Sequence, residues 1–158
     1  MKRIFQLTLT LVLLLLVSAC ATSSHMTVVP DNDRIMRPAA AKALVIFLRP
    51  SSYGGAIQAT VFDGEQYIGT SSAKTHFAYQ ASPGKHLFMV IGESADFMEA
   101  NLIAGKTYYA IVQARMGVWK ARFSLRPQNG QIPQSDIDNW TKSTRQTKPN
   151  EAGFQWAK

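Results

Sequence analysis

The chain has almost no cysteine, since Cys20 is the only one among its 158 residues. A single thiol cannot form an internal disulfide, and it cannot build a metal site ligated by several cysteines. If Cys20 is itself consumed by modification, the folded part has no thiol at all. We therefore expect an ordinary hydrophobic core to stabilise the fold, in one domain of modest size.

Histidine is also scarce, and the three histidines, His25, His76 and His86, form no recognisable cluster. A metal site needs several converging ligands, and the sequence has neither His-x-x-x-His spacing nor a His/Asp/Glu cluster. We interpret the histidines as solvated side chains or as side chains with satisfied hydrogen bonds. No metal and no cofactor is expected.

The sequence motifs of common enzymes are missing. No Gly-x-Ser-x-Gly motif presents a serine nucleophile, and Gly54-Gly55 lacks the Gly-Lys-Ser/Thr of a phosphate loop. We expect no catalytic residue and a function other than catalysis. The less favoured alternative is an envelope hydrolase with paired carboxylates. Its candidate acids are Asp63, Glu65, Glu93, Asp96 and Glu99, and all of them except Glu99 fall in predicted turns or at strand ends.

Acidic residues are absent before Asp31, and the first 20 residues divide into three zones. Residues 1–3 are cationic after the initiating methionine, residues 4–17 are largely apolar, and residues 18–20 are small. This order is typical of a secretory signal peptide. The apolar zone is too short to span about 30 Å of hydrocarbon comfortably as a helix. We predict that residues 1–19 are a signal peptide that is cleaved.

The end of this segment, Val17-Ser18-Ala19-Cys20, resembles the lipobox of bacterial lipoproteins at every position. The resemblance implies that the Cys20 sulfur carries a diacylglyceryl group and that the new amino terminus is acylated too. Further chains matter because a single acyl chain anchors only marginally. Ala21 stands where an aspartate would imply retention in the inner membrane, so the resemblance favours the outer membrane, facing the periplasm. The alternative is a plain signal peptide, or an uncleaved anchor, with an incidental cysteine.

Basic residues outnumber acidic ones, at 17 against 10, and the excess lies near the carboxy terminus. Residues 106–158 carry nine Lys and Arg against three Asp and Glu. In an envelope protein this suggests an anionic partner such as a phospholipid or a phosphorylated glycan. Export makes nucleic acid a poor candidate. The alternative is a moderately basic surface that aids solubility.

The run VWKARFSLR, residues 118–126, is the best-defined candidate for anion binding. Strand alternation would place Lys120, Arg122 and Arg126 on one face and Trp119, with Phe123 and Leu125, on the other. Three cations on one face could hold phosphates or carboxylates. The alternative is an edge strand whose cations prevent edge-to-edge pairing with another sheet.

Short apolar runs divided by turn residues fill residues 42–126. Residues 42–49 are nearly all apolar, as in a central strand, and residues 56–62 alternate. Asp63-Gly64 is a strong hairpin signal between two such runs. We predict an all-β fold, an antiparallel β-sandwich of seven or eight short strands.

The flanking segments have weaker patterns. Residues 20–41 show no clear period, and we predict a lipidated amino terminus followed by a flexible tether. Residues 127–158 form a carboxy-terminal extension with a possible short helix over residues 135–145, where Ser135 has the spacing of a capping box. So short a helix is marginal alone, and we expect Trp140 to dock it on the sheet.

Four stretches of the strand region together resemble a known family: FLRPSSYGGA, VFDGEQYIGTSS, ASPGKHLF and LIAGKTYYAIVQA. They follow the order seen in small bacterial lipoproteins grouped as domain of unknown function 2846, and the similarity covers roughly residues 42–126. The resemblance implies a β-sandwich and no activity, since the family has no established biochemical role. We therefore expect a structural or interaction module of the envelope, with an envelope protein as a possible partner. The alternative is a binder of anionic glycan or lipid.

Overall fold

The structure is a computed structural model that describes residues 22–157, so the predicted signal peptide and Cys20 lie outside the described residues. Two β-sheets face each other across one hydrophobic core. The six-stranded sheet contains, in spatial order, β1 (Met26–Val28), β10 (Arg145–Pro149), β5 (Thr75–Ala81), β2 (Ala43–Arg49), β8 (Thr107–Arg115) and β9 (Arg122–Pro127). The four-stranded sheet contains β4 (Gln66–Ser71), β3 (Ala59–Asp63), β6 (Gly84–Ile91) and β7 (Ala95–Leu102). Helices α1 (Gln134–Ser143) and α2 (Glu151–Trp156) follow β9 and β10, and a short 3-10 helix covers Asp31–Asp33.

The prediction of an all-β fold is confirmed, and the arrangement is sandwich-like. The described residues contain ten strands where seven or eight were predicted, because two further strands, β1 and β10, lie in the flanking segments. The prediction of a purely antiparallel sandwich is wrong, since β2 pairs with β8 in parallel and β5 pairs with β10 in parallel. Strand patterns in a sequence are local, whereas these pairings join strands far apart in the chain.

Strand β2 is buried on both faces, which explains its continuous apolar sequence. Val45 and Phe47 point into the core between the two sheets. Leu44, Ile46 and Leu48 point to the other side of the six-stranded sheet and form a second cluster. That side of the sheet therefore needs a cover of its own.

Helix α1 supplies this cover. Ile137 is fully buried among the outer residues of β2, and Trp140 packs against the same cluster. The helix spans residues 134–143, close to the predicted 135–145. Ser135 does not begin it, because the residue before the first turn is Pro133 and no side chain caps the helix. Packing, rather than capping, therefore holds α1 in place.

The amino-terminal segment is not the flexible tether that was predicted, at least over residues 22–35. Strand β1 pairs antiparallel with β10, and Met26 and Val29 are buried. The backbone N–H of Ile35 donates to Oε1 of Gln146 at 2.7 Å. Both flanks thus belong to the folded unit, because each supplies a strand that the other needs.

We predict that Ile137→Ala lowers the free energy of unfolding by about 2–5 kcal/mol, because it opens a cavity under α1. Urea denaturation measures this loss. The control is Asn139→Ala on the exposed side of the same helix, with an expected change within about 0.5 kcal/mol. A loss below about 1 kcal/mol for Ile137→Ala would show that α1 is dispensable to the fold.

Candidate functional site

The three cations proposed for anion binding do not form one site. Strand β9 begins at Arg122, so Lys120 lies in the preceding loop, where its side chain is exposed. The guanidinium of Arg122 donates from Nε and Nη2 to Oε1 of Glu93, at 3.1 and 3.0 Å. Arg126 is opposite Ile111, further along the strand. Because β9 is an edge strand of its sheet, its exposed arginines fit the alternative, protection against edge-to-edge pairing.

Glu93 already occupies the place where an anion was expected. Its carboxylate accepts the backbone N–H groups of Val118, Trp119 and Lys120, at 3.1, 2.7 and 2.7 Å. These hydrogen bonds, that from Lys120 foremost, lower the pKa of Glu93 to about 2. Consecutive N–H groups that converge in this way form an anion-binding nest. The nest is filled by a carboxylate of the same chain.

The loop held by Glu93 turns apolar side chains toward solvent. The exposed fractions are 82% for Met116, 73% for Val118 and 90% for Trp119. Trp119 therefore does not share the buried side of Phe123 and Leu125, where strand alternation had placed it. The alternation of side chains between the two faces holds within β9. It stops before Arg122, where the backbone bends so that its N–H groups reach the carboxylate of Glu93. Gly117 permits the bend, because a Cβ there would collide with the carbonyl oxygen of Lys120.

A second loop, residues 50–58, faces this one and is fixed by Arg49. The guanidinium is buried and donates to four carbonyl oxygens: those of Ile57 at 2.8 Å, Ser71 at 3.1 Å, Tyr53 at 3.3 Å and Gly54 at 2.7 Å. It also lies over the ring of Phe123, 4.7 Å from the centroid. Burial lowers the pKa of Arg49 to about 10, so the group stays charged at neutral pH.

An open groove of about 390 Å³ lies between the two loops. Tyr53 and Ile57 line one wall, and Trp119 and Ala121 line the other. Arg115 and Lys120 flank the second wall. The groove is thus apolar and aromatic with a cationic border, and its lining contains no carboxylate.

A larger hollow of about 490 Å³ lies on β6 and β7, where His86 is one of the lining residues. Nδ1 of His86 is 2.7 Å from Oδ2 of Asp63, and its Nε2 is 2.8 Å from the carbonyl oxygen of Ser82. The hydroxyl of Tyr79 donates to the same carboxylate oxygen at 2.9 Å, and burial followed by this contact raises the pKa of Tyr79. His86 therefore links Asp63 of β3 to the turn at Ser82.

His76 lies in a buried network that joins distant parts of the chain. Its Nδ1 is 2.7 Å from Oγ1 of Thr144, which itself donates to the carbonyl oxygen of Trp140. Its Nε2 is 3.3 Å from Nη2 of Arg34 and 3.3 Å from Nε2 of Gln146, both of which are donors. The ring therefore fits the neutral tautomer with hydrogen on Nδ1. This network holds the amino-terminal segment, α1 and β10 together.

Sequence reasoning gave neither Arg49 nor Glu93 a role in fixing the groove, and it named Glu93 only as a candidate acid of a hydrolase. A lone arginine at the end of an apolar strand is a signal for Arg49, since a buried charge must find acceptors. For Glu93 the sequence offers no signal, because its partners lie 25 to 29 residues away. Within residues 22–157, no three His, Cys, Asp or Glu side chains are placed to hold a metal ion. No helix of that part is both long and apolar enough to span a membrane.

Comparison with known proteins adds no relative, because no family model, curated protein or solved structure matches the chain. The resemblance to the small lipoproteins of domain of unknown function 2846 therefore rests on its sequence stretches and stays a hypothesis.

We predict that Glu93→Gln loosens the loop at residues 116–120, because the amide has no charge and only one acceptor oxygen for the converging donors. Amide hydrogen exchange at Val118, Trp119 and Lys120 should become faster while the thermal midpoint of the protein changes little. The matched control is Glu99→Gln on the exposed side of β7. Unchanged exchange at these three amides would contradict the role assigned to Glu93.

We predict that His76 makes the fold less stable in mild acid. Burial first, and the nearby charge of Arg34 second, lower the pKa of His76 from 6.5 to about 4. Between these pH values the unfolded chain binds a proton that the folded chain does not. The free energy of unfolding should then fall as the pH falls, by up to about 1.4 kcal/mol per pH unit. His76→Asn should be less stable at neutral pH and should lose this part of the slope. Equal slopes in the two proteins would refute the assignment.

Proposed function

We propose that this chain is an exported lipoprotein of the cell envelope, anchored by acyl chains on Cys20 and acting through non-covalent binding. The observation that carries the proposal is the sequence Val17-Ser18-Ala19-Cys20 behind a cationic and apolar segment. The resemblance to the small lipoproteins supports it. The same features favour an outer-membrane location facing the periplasm, with residues 1–19 removed.

The start of the folded part adds a geometric constraint to this proposal. Ser23 is buried, and its backbone N–H donates to Oγ of Ser72 at 3.2 Å. Between Cys20 and Ser23 the chain advances three residues, which span about 10 Å at most when extended. An anchor on Cys20 would therefore hold the sheets directly against the bilayer surface. A freely swinging domain is not expected.

Binding is favoured over catalysis by what the titratable groups contact. The carboxylate of Glu93 accepts hydrogen bonds from three backbone N–H groups, both ring nitrogens of His86 lie within hydrogen-bond distance of oxygen atoms, and His76 is fully buried. These groups fix loops and strands to one another. The groove between the two loops, by contrast, exposes aromatic and apolar side chains. A structural or interaction module is the function that this arrangement supports best.

The alternative function, binding of an anionic ligand, is supported by only some of the cations predicted for it. The charge excess over residues 106–158 supports it. The three-cation face does not, because Arg122 is paired with Glu93. The exposed cations beside the groove are Arg115 and Lys120. An anionic partner would therefore meet charge and apolar surface together.

We predict that the amino-terminal peptide of the protein isolated from membranes begins at Cys20 and carries acyl chains. Mass spectrometry of that peptide measures both features. Cys20→Ser should abolish the added lipid mass, whereas Ser18→Ala keeps a small residue in the motif and should retain it. A wild-type peptide that starts at Cys20 without lipid, or that starts elsewhere, would sink the proposal. So would a membrane fraction unchanged by Cys20→Ser.

A further inference from the structure

We infer that the two loops around the groove form a second membrane contact, which inserts into the interfacial layer of an anionic phospholipid bilayer. The contact, here called the Trp119 surface, consists of Tyr53, Met116, Val118 and Trp119. That this bilayer is the one that holds the acyl chains rests on the proposed lipoprotein function, whereas the exposure, rigidity and charge of the surface do not.

The side chains of the Trp119 surface are unusually exposed for large apolar residues. Trp119 is 90% exposed and Met116 is 82% exposed, and the ring of Tyr53 is more than half exposed on the facing loop. Large apolar side chains gathered at one place on a soluble domain mark a surface that meets another phase or another molecule. Trp and Tyr are enriched at the membrane–water interface, where one end of the ring is apolar and the other is hydrated.

The Trp119 surface is rigid, so its exposure is built into the fold. Glu93 holds three successive N–H groups of one loop, and a side chain at position 117 would clash with the backbone of that loop. Arg49 holds the other loop through the carbonyl oxygens of Tyr53, Gly54 and Ile57. An apolar surface fixed in this way loses little conformational entropy when it inserts.

The charges around the surface select an anionic bilayer. Arg115 and Lys120 directly precede and follow residues 116–119 in the chain, both line the groove, and both are exposed. The nearby carboxylate of Glu93 is turned inward, where it is compensated by N–H groups and by Arg122. Cations beside interfacial aromatic residues attract anionic headgroups while the rings enter the acyl boundary.

β2 and β8 run parallel, so Arg49 and Arg115 lie toward one end of the six-stranded sheet. The amino-terminal segment lies at the opposite edge of that sheet, where Met26 is paired with Pro149 and the backbone N–H of Asn150 donates to the carbonyl oxygen of His25. The Trp119 surface and the start of the folded part are therefore separate places on the molecule.

The cations beside the exposed aromatic and apolar residues are the reason for choosing an anionic bilayer over a protein partner.

The test uses the mature chain, residues 20–158, with Cys20→Ser, so that no acyl chain contributes. Flotation with vesicles of phosphatidylethanolamine and phosphatidylglycerol measures binding, and vesicles of phosphatidylcholine are the neutral comparison. We expect binding to the anionic vesicles that Trp119→Ala weakens about tenfold or more. Arg115→Gln with Lys120→Gln should weaken it too, and added salt should do the same. Circular dichroism and thermal melting verify that each variant is folded.

The matched control is Trp156→Ala. Trp156 is also exposed, at 56%, but it lies on helix α2, where it stacks on His25 beside the opposite edge strand β1. Its removal should change vesicle binding less than twofold. An equal loss for the two tryptophan variants would overturn the inference, and so would a chain that does not float. Equal binding to neutral vesicles would overturn the role of Arg115 and Lys120.

Two further outcomes separate the possible partners and the two proposals. Retention on a phosphorylated glycan without acyl chains, together with no flotation, would assign the surface to glycan and overturn the membrane contact. An amino terminus without lipid in the Cys20 experiment would overturn the lipoprotein. It would leave the vesicle result standing, because that experiment contains no acylated chain.

Discussion

A strand that is apolar on both faces is stable only if each face is covered, and β2 is such a strand. The four-stranded sheet covers Val45 and Phe47, while helix α1 covers Leu44, Ile46 and Leu48. Because α1 lies between β9 and β10 in the chain, the covering of β2 draws the carboxy-terminal segment into the fold. β10 then needs an edge partner, which β1 supplies. The burial of one strand thus accounts for the ordering of both flanking segments.

The same strand also determines the loops that carry the groove. β2 ends at Arg49, whose charge is removed from water and would be costly without acceptors. Carbonyl oxygens of the following loop supply them, so that loop folds around the guanidinium. Parallel pairing brings the end of β8 to the same side, where Glu93 closes the facing loop. The groove is therefore a consequence of how the core strands end.

Much of the fold is predictable from sequence because its signals are local. Eight strands occur in the region predicted to contain seven or eight, the Asp63-Gly64 turn joins β3 to β4, and Ile137 with Trp140 docks α1. The pairing of strands is not local, so the periodicity of the sequence does not predict the two parallel strand pairs. β10 is hidden for another reason. Its buried residues Gln146 and Thr147 are polar, and hydrogen bonds satisfy them instead of apolar packing.

The candidate site shows why a pattern of charges can mislead. Lys120, Arg122 and Arg126 have strand spacing, but their availability depends on Glu93, a residue that no periodicity connects to them. The carboxylate engages Arg122 and fills the backbone nest, so it removes the site for a small anion. In bending the loop it also turns Trp119 outward, against the alternation of the sequence. One internal ion pair therefore replaces a cationic face by an apolar surface with two flanking cations, which suits an extended anionic interface better than a single phosphate.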